Sequence, residues 1–159
     1  MRGTQAEAAG ELRADGMRVV VVASRYNREI VQRLVDGALD ALVSRGAAQA
    51  EQRVVWVAGA LEIPVVAQAA LAGGAAVDVV CVGCVIKGDT DHYEHVCRAT
   101  VDGIARVSLD AKAPVGNGVL TVETREQAEE RAGGSAGNKG AEAALAVLEA
   151  RAAMRAVKG

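Results

Sequence analysis

Residues 77–96 read VDVVCVGCVIKGDTDHYEHV, an apolar run that breaks at a glycine and restarts as a capped helix. Val77, Val79, Val80, Val82, Val85 and Ile86 form a β-branched series with almost no polar interruption, the pattern of a strand buried on both faces of a parallel sheet. Gly88 ends it. Asp91, followed three residues later by Glu94, has the spacing of a capping box, so a helix is predicted to start at His92. The first amides of such a helix lack intrahelical partners and face the loop Gly88-Asp89-Thr90, which makes that loop a candidate anion site.

The flanking sequence repeats this strand–loop–helix unit. Residues 17–23 predict a first strand ending at Arg25-Tyr26-Asn27, and Ile30, Val31, Leu34, Val35, Ala38, Leu39, Leu42 and Val43 recur at helical spacing up to Gly46. Residues 54–57 predict a second strand, and the turn Gly59-Ala60-Leu61-Glu62 leads into a helix with Pro64 in its first turn, where a missing N–H costs little. The helix from His92 is expected to reach about Leu109, before a break at Pro114. Residues 115–122 predict a fourth strand, softened by Gly116, Asn117 and Gly118. Thr124 with Gln127 repeats the capping-box spacing, Gly133-Gly134 stops that short helix, and Asn138 can cap a final Ala- and Leu-rich helix to about Met154. Strands alternating with helices predict an α/β fold: a three-layer sandwich with a four-stranded parallel sheet flanked by helices on both faces, in the doubly wound, flavodoxin-like manner. Ligands of such sheets bind beyond the carboxyl ends of the strands, so the loops at 25–27, 59–62 and 87–92 and the segment after Leu120 are expected to converge. No G-x-G-x-x-G follows the first strand and no P-loop lysine motif occurs, which favours a small phosphorylated ligand over a dinucleotide.

Composition narrows the function further. A chain of 159 residues with 51% hydrophobic content supports one domain, expected at 17–159 behind a polar N-terminal arm at 1–16. The net charge of −2 leaves no basic excess for nucleic acid, and Tyr26, Trp56 and Tyr93 are the only rings that could stack on bases. The first 16 residues lack a signal-peptide core, and no apolar stretch reaches the roughly 18 residues of a membrane span. A cytoplasmic protein without membrane or nucleic-acid partners is expected. Cys81 and Cys84, with His92, His95 and Cys97 nearby, raise the question of zinc. The odd spacing inside a strand, however, turns the two thiols to opposite faces, so buried thiols and no metal are expected.

Several segments together resemble the lumazine synthase family: Arg25-Tyr26-Asn27, Gly59-Ala60-Leu61-Glu62-Ile63-Pro64, the run from Gly83 to Tyr93, residues 114–121, residues 127–131, and Asn138-Lys139-Gly140, all in family order. The resemblance implies a condensation of 5-amino-6-(D-ribitylamino)uracil with 3,4-dihydroxy-2-butanone 4-phosphate, giving 6,7-dimethyl-8-ribityllumazine, phosphate and water, with no cofactor. It implies His92 as the proton-transfer residue. By position alone His92 reads rather as a solvated or capping histidine; the surrounding family pattern reverses that reading, and the positive end of a helix dipole would disfavour its imidazolium by about 0.3–1 kcal/mol, which suits a base. Asp89, Thr90 and Arg131 are implied for the butanone phosphate, with Lys87 and Lys139 as secondary positive charges. Tyr26, Ala60, Leu61, Glu62, Cys84, Val85, Ile86 and Asn117 are implied for the ribitylaminouracil.

Two positions depart from the family pattern. Leu61 stands where an aromatic is common, and Asn117 stands where many members place a ring-stacking phenylalanine, which this chain lacks throughout. An amide there predicts altered affinity rather than altered chemistry. The resemblance further implies homopentamers with sites shared between neighbours, Asn117 being donated across the interface. It allows, without requiring, a sixty-subunit shell and association with riboflavin synthase. Two other readings share parts of the pattern: a riboflavin synthase of archaeal type, against which Thr90 and Arg131 argue, and a flavin- or lumazine-binding module, against which His92 argues.

Overall fold

The computed structural model describes residues 12–159. Its central sheet is parallel in the order β2-β1-β3-β4, formed by β1 (Val19–Ser24), β2 (Gln52–Val57), β3 (Asp78–Ile86) and β4 (Val115–Val122). The register runs Val19↔Gln52 between β1 and β2, Val19↔Asp78 to Ala23↔Val82 between β1 and β3, and Val79↔Val115 to Ile86↔Val122 between β3 and β4. After β2 the chain crosses over β1 to form β3, so connections leave in opposite directions at β1 and β3. A crevice opens there, beyond the strands' carboxyl ends.

The central strand β3 is buried from Asp78 to Cys84, as its uninterrupted β-branched sequence requires. Its alternation divides the core. Val80, Val82 and Cys84 join the layer with α1 (Arg28–Ser44), α4 (Arg125–Arg131) and α5 (Lys139–Lys158). Val79 and Cys81 join the opposite layer with α2 (Ile63–Ala72) and α3 (His92–Ala111). The two thiols therefore point to opposite faces, as their spacing predicts. Each fully buried valine contributes about 1.5–3 kcal/mol, whereas exposed pairs such as Arg106–Asp110 contribute about 0–1 kcal/mol, so the sheet core carries the stability. One charged pair is an exception to the exposed pattern: buried Asp78, at the start of β3, is held by Arg151 of α5.

Helix boundaries follow the sequence signals closely. Gly46 ends α1 with φ +104°, and α1 packs against α5 where Gly140 meets the Leu34 carbonyl too closely for any side chain. Asn138 caps α5 by accepting the Ala141 amide at 3.1 Å, and α5 continues past Met154 to Lys158. Thr124 accepts the Gln127 amide at 3.1 Å, while the Gln127 side chain returns to the Glu123 amide rather than to that of Thr124. A short ribbon of β5 (Ala132–Gly134) and β6 (Gly137–Asn138) joins α4 to α5.

Of the N-terminal arm expected at 1–16, residues 1–11 lie outside the described residues. Within 12–16, Leu12 packs on the core and Ala14 is buried, its amide donating to the Arg45 carbonyl at 2.8 Å. Among the described residues, no helix is long and apolar enough to cross a membrane.

Candidate active site

A pocket of about 420 Å³ occupies the crevice, within the size range of small-molecule sites. Three strand ends and one helix supply it: Tyr26 and Asn27 after β1, residues 59–62 after β2, residues 84–86 at the end of β3, and His92 with Val96 from α3. The loops at 25–27 and 59–62 converge as expected, because a parallel sheet ends all its strands on one side, whereas the expected loop at 87–92 contributes only His92 and the segment after Leu120 contributes nothing to the lining. Predicted site residues Tyr26, Ala60, Leu61, Glu62, Cys84, Val85, Ile86 and His92 are thus brought together.

Local bonding explains the pocket's shape. The Arg25 amide donates to the Val57 carbonyl at 2.9 Å, tying the Tyr26 turn to the end of β2. One carboxylate oxygen of Glu62 accepts the Gly59 amide at 2.9 Å, which closes the turn entering α2. The Tyr26 ring lies against Gly59, where an added Cβ would sit 3.4 Å from Cδ2 and Cε2. Tyr26 and Leu61 are nevertheless 69% and 47% exposed, so the rim is open in a single chain. The Cys84 thiol, buried against α1 and α5, is pushed up to about 11 by desolvation, with Arg125 opposing. It is a neutral wall group rather than a nucleophile.

The start of α3 corrects one expectation. Asp91 makes no side-chain cap, and its backbone is already helical, so the predicted Asp91–Glu94 capping box does not form. Thr90 takes that role instead, its hydroxyl accepting the His92 amide at 3.3 Å. The amides of Glu94 and His95 return to the Asp91 carbonyl. A helical Asp91 cannot swing its carboxylate back over N2 and N3, which is why the spacing alone misled.

Other predicted residues lie outside the pocket lining. Lys87, Asp89 and Thr90 are exposed on the loop beside it. Asn117 is exposed on β4, whose outer edge is open, and its side chain accepts the Val119 amide at 3.1 Å. Arg131 ends α4 with its guanidinium on the Gln127 carbonyl at 3.0 Å and near Glu130 at 3.5 Å. Lys139 is exposed at the first position of α5. Asn27, Gly59 and Val96 also line the pocket; the first two stand in loops expected there but were given no role, and Val96 was not foreseen at the site. For Asn27 the signal was present, since an asparagine directly before a helix tolerates left-handed backbone.

Fold and pocket define a doubly wound α/β protein built to receive a small molecule at the switch point of its sheet. Residues 16–155 match the 6,7-dimethyl-8-ribityllumazine synthase family. Relatives bearing that name include one from Gemmatimonas aurantiaca, 49% identical over 144 residues, covering 91% of this chain and 88% of that protein. Those from Xylella fastidiosa strain M12 and Xanthomonas campestris pv. campestris strain B100 are each 49% identical over 140 residues, covering 88% of this chain and 91% of theirs. The chain belongs to the 6,7-dimethyl-8-ribityllumazine synthase family.

Proposed function

We infer that the pocket at the ends of β1, β2 and β3 is the condensation site of the family's reaction. The chain then acts as a transferase of riboflavin biosynthesis, joining 5-amino-6-(D-ribitylamino)uracil to 3,4-dihydroxy-2-butanone 4-phosphate to make 6,7-dimethyl-8-ribityllumazine. The observation that carries the reading is the convergence of Tyr26, Glu62, Val85, Ile86 and His92 on one pocket in a chain of this family.

The 5-amino nitrogen attacks the ketone carbon, and loss of water leaves an imine. A proton leaves the adjacent carbon as phosphate departs, and the resulting enol reverts to a carbonyl. The ribitylamino nitrogen closes on that carbonyl with loss of a second water. No step changes the net oxidation state, so the protein's tasks are to align two substrates and to move protons. His92, in the first turn of α3 and on the pocket wall, accepts and returns those protons. Tyr26 stacks on the pyrimidine, Glu62 accepts from ribityl hydroxyls with the oxygen left free by Gly59, and residues 84–86 offer backbone groups and an apolar wall. The loop amides at 88–90 and the Thr90 hydroxyl bind phosphate, while the Asp89 carboxylate turns away from it.

The remaining roles require assembly. The open rim at Tyr26 and Leu61, and the positions of Asn117, Arg131 and Lys139 outside the pocket, support sites completed by a neighbouring copy in a homopentamer. Asn117 then meets the pyrimidine with an amide, and Arg131 meets the phosphate with a charged fork. Lys87 and Lys139 add positive field. A light-scattering mass no larger than a pentamer excludes the sixty-subunit shell, and co-elution tests association with riboflavin synthase. A cytoplasmic setting fits the free thiols Cys81, Cys84 and Cys97.

The deciding experiment mixes protein with both substrates and follows lumazine fluorescence together with phosphate release. Stoichiometric growth of both signals, slowed strongly by His92→Ala and by Arg131→Ala, is the expected result. Tight binding without turnover above background overturns the enzymatic reading and leaves a binding protein.

A further inference from the structure

We propose that Asn27 is a positioning residue for this reaction: its side chain spans the crevice between β1 and β3 and thereby sets the Tyr26 ring over the pocket floor. Asn27 sits in left-handed backbone, with φ 59° and ψ 45°. Its side-chain amide donates to the Cys84 carbonyl at 3.1 Å. The β1–β3 ladder ends at Ala23 and Val82, so this bond continues the pairing beyond the last residue of β1 that can make it. The backbone carbonyl of Asn27 is also engaged, accepting the Ile30 and Val31 amides at 3.0 and 3.1 Å as α1 begins.

Tyr26 is thus fixed from both sides. Before it, the Arg25 amide is bonded to Val57; after it, Asn27 is bonded to Cys84, and the Arg28 guanidinium lies 4.0 Å from the centre of the Trp56 ring. The Tyr26 ring, 69% exposed, rests against Gly59 on one edge and is otherwise open. Its direction is inherited from the backbone. Glycine at position 27 would adopt the left-handed turn as readily, so conformation alone does not call for asparagine. The carboxamide does, because the Cys84 carbonyl needs a donor at the place where the sheet splits and the ligand enters.

The proposal rests on the reading of Tyr26 as the pyrimidine contact, and the test separates the two. Steady-state kinetics on the assembled protein would compare Asn27→Gly, Asn27→Asp and Tyr26→Ala, with KM for each substrate, kcat and the thermal midpoint recorded. Asn27→Gly keeps the turn and loses the donor; it is expected to raise KM for the ribitylaminouracil about three- to tenfold with KM for the butanone phosphate unchanged, and to lower the midpoint only by the small amount that one lost hydrogen bond costs. Asn27→Asp sets a carboxylate against the Cys84 carbonyl and should raise the same KM further. If Tyr26→Ala raises that KM and both Asn27 variants leave it within about twofold, the positioning role is overturned while the site reading stands. If Tyr26→Ala also leaves it unchanged, the site reading fails and the proposal fails with it. Losses shared equally by both substrates and by the midpoint would assign Asn27 to folding alone and overturn the proposal as well.

Discussion

The Thr90 hydroxyl accepts the backbone amide of His92 at 3.3 Å, so the residue assigned to phosphate also fixes the helix start that carries the assigned base. Thr90→Val removes both functions and keeps the shape. The expected outcome is a raised KM for the butanone phosphate together with a stability loss of about 0.5–2 kcal/mol, the usual cost of a lost cap. Thr90→Ser should restore both. Kinetics alongside thermal unfolding checks this, and an unchanged KM in Thr90→Val would remove the hydroxyl from the phosphate site.

His92→Ala is expected to lower kcat by about a hundred- to ten-thousandfold, the range of general acid–base help, with substrate affinity largely retained. His92 is exposed in the first turn of α3, so the substitution removes no buried contact and the fold should persist. Circular dichroism paired with single-turnover kinetics separates lost chemistry from lost structure. A kcat within a few-fold of the parent would remove His92 from the chemistry and leave it a solvated residue of the helix start.

How far the sequence carries depends on which contacts are local. The β3 run announced its burial because a strand covered on both faces has no polar phase, and Asn138 announced the start of α5 because a cap is a three-residue event. Asp91 misled for the complementary reason: its spacing with Glu94 is right, but cap geometry depends on backbone angles, and Asp91 is already helical while Thr90 accepts the His92 amide. The strand order leaves no mark in the pattern of any one strand; it came with the flavodoxin-like, doubly wound reading, whose order the sheet has. The β5–β6 ribbon is too short to carry a period. Tyr26, residues 60–62 and His92 could be gathered because each follows a strand or opens a helix at the same end of the sheet, whereas residues 84–86, the last of β3, were named through the family resemblance. Asn117 and Arg131 lie outside that pocket in a single chain, and the proposal assigns them to the site of a neighbouring copy.

That separation makes a complementation experiment informative. His92→Ala and Arg131→Ala, each nearly inactive alone, should regain activity when unfolded together, mixed and reassembled, because some sites would then receive His92 from one chain and Arg131 from its neighbour. Refolded single variants serve as controls. Mixed assemblies no more active than either variant would place His92 and Arg131 in the same chain's site and rule out the shared arrangement.

The buried thiols give a pH prediction whose sign follows from burial. Desolvation pushes Cys81 up to about 12 and Cys84 up to about 11, from an ordinary thiol value of 9.0. In the unfolded chain both thiols ionise near that ordinary value, so above it the unfolded state holds fewer protons than the folded one. Stability from these groups is fully present below about pH 9 and is lost as pH rises toward 11 and 12, by about 1.4 kcal/mol per pH unit for each thiol. Urea unfolding between pH 8 and pH 11 should therefore show a declining free energy, and Cys84→Ala should flatten the decline while lowering stability at pH 8 through the methyl-sized void it leaves. Thiol reagents at pH 8 should reach half-buried Cys97 before Cys81 or Cys84, which react only as fast as the protein opens. An unfolding free energy that stays level through pH 11 would show that the two thiols ionise as easily in the folded protein as outside it.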